Sequence, residues 1–199
     1  MRKTAAYEDR DVKKTLLILG LSVLLSGCTI NLPFNNRLSY SSVKEMSSVQ
    51  SGNEKVSLNI IWNPADFPTR VDIKGADGFV GGGSRTRVPT GVALSARIEE
   101  AISTFANIAP DGKPLTITVV EATSGFEYSA GIFNATPGID VGTVYLKANF
   151  DFNGNTWTRE FRSEKKDPTI GGTSQTAILE SAWDDIAVQV AKDVAARVK

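Results

Sequence analysis

Asn153-Gly154, set between two alternating runs that span Thr143 to Arg162, constrains the fold of this 199-residue chain more than any other feature. Asn-Gly is the preferred pair for a two-residue type I′ hairpin, so the turn fixes the register of the strands on either side. With Phe152 opposite Asn155, one face matches Phe150 with Trp157 and Leu146 with Phe161. The other face matches Lys147 with Glu160 and Tyr145 with Arg162. Aromatic pairs therefore meet on one side and polar or oppositely charged pairs on the other, each contributing about 0.2–1 kcal/mol. A one-residue slip would exchange the faces. Arg159 is the exception, landing on the apolar face opposite Ala148, either near a sheet edge or reaching toward a ligand.

Further strands follow from period-two alternation. Val56, Leu58, Ile60 and Trp62 give one, stopped by Asn63-Pro64, and Val71 and Ile73 give a shorter one over Arg70–Lys74. Leu115, Ile117 and Val119 give a third, with a continuation through Phe126 and Tyr128. A glycine-rich stretch, Gly75 to Gly83, and a segment from Gly131 to Gly142 read as loops. Helical spacing of Leu94, Ile98, Ala101, Ile102 and Phe105 predicts a helix from Thr90 to Ile108, with Arg97, Glu99, Glu100 and Ser103 on its other side. A second helix, Thr176 to Ala196, carries the stripe Leu179, Ala182, Trp183, Ile186, Val190 and Val194, with Thr173 or Ser174 as its cap. Trp183 reads as core. Two helices without regular βαβ alternation predict an α+β domain, a mainly antiparallel sheet packed in two layers against them.

The single cysteine carries the clearest functional signal. Lys13-Lys14 precede the apolar run Thr15–Gly27, which ends in Leu25-Ser26-Gly27-Cys28. That run has 13 residues, whereas a bilayer span needs roughly 20. These residues resemble the signal peptide and lipobox of a bacterial lipoprotein. The resemblance implies that residues 1–27 are removed and that Cys28 is acylated, becomes the N-terminus and anchors the protein in a membrane. Glu8, Asp9 and Asp11 are unusual in a signal's leading region, so two starts are open, Met1 and a GTG-encoded Val12. Residues 28–54, rich in Ser and Asn, read as the lipidated N-terminus and a flexible tether, the alternative being that Asn31 to Tyr40 packs as an extended edge. Residues 55–199 form one domain.

After Gly27 the chain holds 17 basic and 19 acidic residues, a near-neutral balance that gives no electrostatic footprint for nucleic acid. Histidine is absent and no second cysteine is present, so the side chains that most often perform acid–base, nucleophilic or transition-metal chemistry near neutral pH are missing. No cofactor or metal is expected. Gly78 to Arg85, with Arg87 nearby, lacks both the P-loop and the dinucleotide patterns and reads as a surface loop. Asp184-Asp185 read as a solvated helix face, and Glu164-Lys165-Lys166-Asp167 as a charged turn. Asp140, Asp151 and Asn153 do not follow a calcium-loop spacing. Without histidine a serine hydrolase would need a lysine base.

Element order together with the lipobox is similar to that of small Gram-negative envelope lipoproteins, among them auxiliary lipoproteins of ABC-type lipid transport systems. The resemblance implies a non-enzymatic accessory protein, anchored through Cys28 on the periplasmic face and binding an envelope protein complex or lipid. Thr29 follows the cysteine where some enteric bacteria use Asp for inner-membrane retention, so the outer membrane is expected, with the inner membrane as the alternative. The competing function is a carboxylate-based hydrolase of cell-wall or glycan substrates, with Glu121 and Glu127 as its candidate residues. Two carboxylates about 5–10 Å apart in a cleft would favour it.

Overall fold

The computed structural model describes residues 29–31, 33–48, 55–63, 71–74, 85–127, 138–168, 172 and 174–198. In chain order the elements are β1 (Thr29–Asn31), α1 (Tyr40–Ser47), β2 (Val56–Asn63), β3 (Val71–Lys74), β4 (Arg85–Val88) and α2 (Thr90–Ser103). They continue with β5 (Ala106–Ile108), β6 (Lys113–Glu127), β7 (Ile139–Phe152), β8 (Asn155–Pro168) and α3 (Gln175–Ala195). A five-stranded sheet of order β5-β2-β6-β7-β8 carries α2 and α3 on one face, and a small sheet of order β1-β4-β3 completes the described fold. The α+β class and its two layers are as expected. The sheet is mixed, because β2 runs parallel to both β5 and β6, while the two long ladders, β6-β7 and β7-β8, are antiparallel.

The hairpin has the expected register throughout: Phe152 faces Asn155, Phe150 faces Trp157, Lys147 faces Glu160 and Tyr145 faces Arg162. Asn153 and Gly154 take φ of 52° and 79°, the left-handed pair that a type I′ turn needs. The Phe150 and Trp157 rings stack with centroids 5.1 Å apart. The strands run further than the sequence reading placed them. Ile139–Gly142 belong to β7 and pair with Lys165–Pro168, so Glu164-Lys165-Lys166-Asp167 is strand rather than a charged turn.

In β6, Leu115 and Ile117 are buried and Val119 half-buried; the register then slips by one residue between Val119 and Glu121. This bulge leaves Val120 unpaired and exposed, and it reverses the phase of everything after it. Ala122, Ser124 and Phe126 thereby turn inward, and Glu121 turns outward. Without it the same alternation would have driven Glu121 into the core.

Helix α2 stops at Ser103, short of the expected Ile108. The hydroxyls of Ser103 and Thr104 donate back to the carbonyls of Glu100 and Ala101, both at 2.7 Å, competing with the next helical turn. Ala106–Ile108 then pair with β2 instead. At the start of α3, Ser174 caps the helix by accepting from the Ala177 amide at 3.3 Å. The apolar stripe of α3 is buried as expected, with Trp183 fully enclosed.

Residues 33–48 correct the tether reading. They lie in the fold, with Leu38 and Met46 buried in the common core and the Phe34 ring packed on Trp183 at 5.1 Å. Residues 1–28, 49–54 and 75–84, and with them Cys28 and the glycine-rich loop, fall outside the described residues, as does Tyr128.

Between β5 and β6 the chain must step over β2, which lies between them. The Ala109 amide donates to the Leu58 carbonyl at 2.9 Å, and a Cβ on Gly112 would stand 2.5 Å from the Leu58 carbonyl carbon. That obstacle is backbone in a sheet flanked on both sides, so it cannot yield cheaply. Gly112→Ala should destabilise the protein by about 1–3 kcal/mol, read as a lower urea midpoint with an unchanged slope.

Candidate functional site

The most elaborate polar arrangement among the described residues joins α2, α3 and the segment 33–39. Arg97 stands on α2 at three residues after Leu94 and one before Ile98, which puts it beside the buried stripe. Its guanidinium is buried and donates to Asp184 Oδ1 at 2.8 Å, to the Asn35 carbonyl at 2.6 Å and to the Ala93 carbonyl at 3.3 Å. Its charged carbon also sits 5.3 Å from the centre of the Trp183 ring. The other Asp184 oxygen accepts from the Ser39 amide at 2.9 Å. Both expectations for these residues are therefore corrected: Arg97 and Asp184 form a buried ion pair, with side-chain exposures of 1% and 9%.

Around this pair the segment is stitched down residue by residue. Glu180 accepts from the Asn35 amide. Glu100 takes both the Arg37 guanidinium and, at 2.7 Å, the Leu38 amide. Glu45 of α1 pairs with Lys192 of α3 at 2.7 Å. Burial pushes the Glu100 carboxyl up, but the hydrogen bonds from Arg37 and Leu38 and the charges of Arg37 and Arg97 outweigh it, holding the group below the ordinary carboxylate range. Beneath, Trp183 Nε1 and Thr90 Oγ1 both donate to Ser124 Oγ, at 3.0 and 2.8 Å, so the indole N–H is satisfied inside the core. The adjacent Asp185 points elsewhere, to Ser163 Oγ at 2.7 Å and Lys165 at 3.2 Å.

Two hollows accompany this joint. One, of about 420 Å3, lies beside the ion pair between Ser39–Glu45, α3 and Lys165. Several of its charged groups already have partners: Glu45 with Lys192, Glu180 with Asn35, Asp185 with Lys165. The other, about 600 Å3 and open, lies on the sheet face opposite the helices, over Glu121, Thr123, Tyr145, Arg162 and Glu164. There Lys147 donates to Glu160 at 2.9 Å, which lowers the Glu160 carboxyl and raises the Lys147 amine. Arg162 lies over the Tyr145 ring at 4.9 Å.

The hydrolase candidates do not form a site. Glu121 and Glu127 are both exposed on one strand, six residues apart, which is about 20 Å at the rise of a β-strand. Glu121 faces Lys147 across the ladder, and Glu127 faces Val141. Arg159 binds Asp193 of α3 at 3.1 Å on the edge strand β8, as the edge reading required. Arg87 is exposed on β4. Among the described residues no group of three His, Cys, Asp or Glu could hold a metal ion, and no helix is long and apolar enough to cross a membrane.

No family model matches the sequence, and no curated protein matches it. Among solved structures, the chain is similar to a minor lipoprotein from Acinetobacter baumannii at 12% identity, covering 73% of this chain and 94% of that one, with a TM-score of 0.44. It is also similar to an uncharacterized protein at 12% identity, with 85% and 99% covered and a TM-score of 0.39. Rare lipoprotein B from Shewanella oneidensis gives 10% identity, 71% and 89% coverage, and a TM-score of 0.34.

Removing one partner of the buried pair strands the other. Asp184→Ala should cost about 3–5 kcal/mol and make the bonds around residues 35–39 susceptible to protease in the otherwise folded protein. Asp185→Asn, at a half-exposed ion pair, should cost less than about 1 kcal/mol. Urea denaturation and limited proteolysis of the two variants check both values.

Proposed function

We propose that this chain is a non-enzymatic, lipid-anchored envelope lipoprotein that holds its domain close against the periplasmic face of the outer membrane and there binds an envelope protein. The observation that carries this reading is the proximity of two features: Leu25-Ser26-Gly27-Cys28 in the sequence, and the return of the chain to the fold immediately afterwards. Thr29–Asn31 already pair with β4, and Phe34 already packs on Trp183. A tether running to residue 54 would have let the domain range about 80 Å from its anchor. With Phe34 docked, the six residues from Cys28 reach about 20 Å at most. The protein therefore acts at the lipid surface, where confinement raises the effective concentration of any neighbouring membrane protein and weak contacts suffice.

Among the described residues, the polar face of β6-β7-β8 opposite the helices and the edge of β8 are surfaces that such contacts can use. The hydrolase alternative has lost its candidate pair, since the strand spacing of Glu121 and Glu127 exceeds what either glycosidase geometry uses. Acylation on more than one chain would make anchoring stable.

Intact mass spectrometry of the membrane-extracted protein should find a mature chain that begins at Cys28 and carries acyl mass. Cys28→Ser should leave the domain folded while releasing it or leaving its precursor unprocessed. A Cys28→Ser protein that is processed and retained in the membrane as before would refute the anchor.

A further inference from the structure

Strand β8 ends the five-stranded sheet, and among the described residues no strand pairs with its outer edge. The hairpin register decides which backbone groups point outward. Phe152 and Asn155 flank a two-residue turn and form a hydrogen-bonded pair, and such pairs recur at every second residue. Odd-numbered residues of β8 therefore spend their N–H and C=O groups on β7, while Thr158, Glu160, Arg162, Glu164 and Lys166 direct theirs to the free edge. The Arg162 carbonyl bears out the direction, since it accepts from Gln189 Nε2 at 3.1 Å rather than from β7; strand pairing there shares or replaces that bond.

A long free edge is an invitation to pairing that proteins commonly answer with charge. Here the order of the charges matters more than their number. Reading outward from Ser163 in both directions, Arg162 mirrors Glu164, Glu160 mirrors Lys166 and Arg159 mirrors Asp167. Except where Phe161 mirrors Lys165, the strand is antisymmetric in charge about Ser163. We propose that two copies of this chain pair antiparallel through their β8 edges, on a two-fold axis at Ser163, to make one continuous ten-stranded sheet.

In that register Arg162 of each copy faces Glu164 of the other, Glu160 faces Lys166, and Arg159 faces Asp167, so each unlike pair occurs twice. Parity agrees, because residues 160, 162, 164 and 166 are those with outward backbone groups, and each meets another of them in a hydrogen-bonded pair. Neighbouring registers that keep the faces aligned are worse. Centring on Arg162 sets Glu160 against Glu164 and Arg162 against itself, and centring on Glu164 sets Arg162 against Lys166. Centring on Phe161 keeps only the Arg162–Glu160 match. The proposed register also extends a charge row already present in the monomer. Glu121 faces Lys147, and Lys147 bonds Glu160; Lys166 of the second copy would continue the alternation. Within one copy, Lys166 reaches Glu164 at 2.7 Å and Arg162 reaches Glu160 at 3.6 Å, so these side chains already lie on the outer face near the edge.

The test uses the full-length chain in detergent, with equal parts of unlabelled and nitrogen-15-labelled protein, treated with a carbodiimide that joins amine to carboxylate without a spacer. Six residues along a strand separate Glu160 from Lys166 by about 20 Å within one copy, so a Glu160–Lys166 link of mixed isotope reports the interface. The wild type should give this link, diminishing as salt screens the pairs. R162E alone and E164R alone should each weaken association at least about ten-fold, because each sets like charges face to face twice. Mixed together, the two variants should associate again, one copy presenting two acids beside the axis and the other two bases. Rescue on mixing also shows that both variants are folded. Absence of the mixed-isotope link in the wild type, association of either single variant at wild-type strength, or no recovery on mixing would overturn the proposal.

Discussion

Everything at the N-terminal side of this fold depends on one buried ion pair. Arg97 and Asp184 are withdrawn from water at 2.8 Å, an arrangement whose desolvation cost is recovered only if the remaining donors and acceptors are satisfied. They are satisfied by backbone from a third, distant piece of chain: the Asn35 carbonyl on the guanidinium and the Ser39 amide on the carboxylate. Helices α2 and α3 could pack without that segment, but the charges between them would then be left with unfilled hydrogen-bonding positions. The pair thus makes the docking of residues 35–39 a condition of its own stability. Trp183 shares in this, lying between Phe34 on one side and the Ser124 hydroxyl on the other.

That dependence changes what an anchor at Cys28 would mean. The folded body begins within a few residues of the cysteine, and Glu100, Glu180 and Lys192 add further fastenings up to α1. A domain on so short a lead presents a restricted set of surfaces to its neighbours. The helices and the clamped segment cover one side of the sheet. The opposite side is a polar array of threonines, Tyr145 and alternating charges, and among the described residues no strand pairs with its β8 edge. The proposed binding of an envelope protein draws on this surface.

Much of the sheet was legible in the sequence because its signals are local. Asn153-Gly154 sets the hairpin register without reference to any other part of the chain, and α3 combines a Ser174 cap with a long apolar stripe. The parts that escaped depend on contacts made at a distance. The bulge at Val120 is visible only when β7 is laid beside β6. Helix α2 ends where two hydroxyl side chains turn back on its carbonyls, although the apolar spacing runs on to Phe105. Residues 33–48 looked like a tether because Ser and Asn outnumber their few apolar anchors, Phe34, Leu38 and Met46. Arg97 did leave a trace: its spacing from Leu94 and Ala101 places it on the edge of the buried stripe, and a charge there calls for a buried partner. Asp184, beside Trp183 and four residues before Val188, was that partner.

The most direct test of the clamp is hydrogen exchange, followed by mass spectrometry, on the full-length protein under native conditions. The Leu38 and Ser39 amides, held by Glu100 and Asp184, should exchange slowly and become labile together in Asp184→Ala. Exchange of residues 35–39 at the rate of a free peptide in the unaltered protein would contradict the clamp and restore a loose tether.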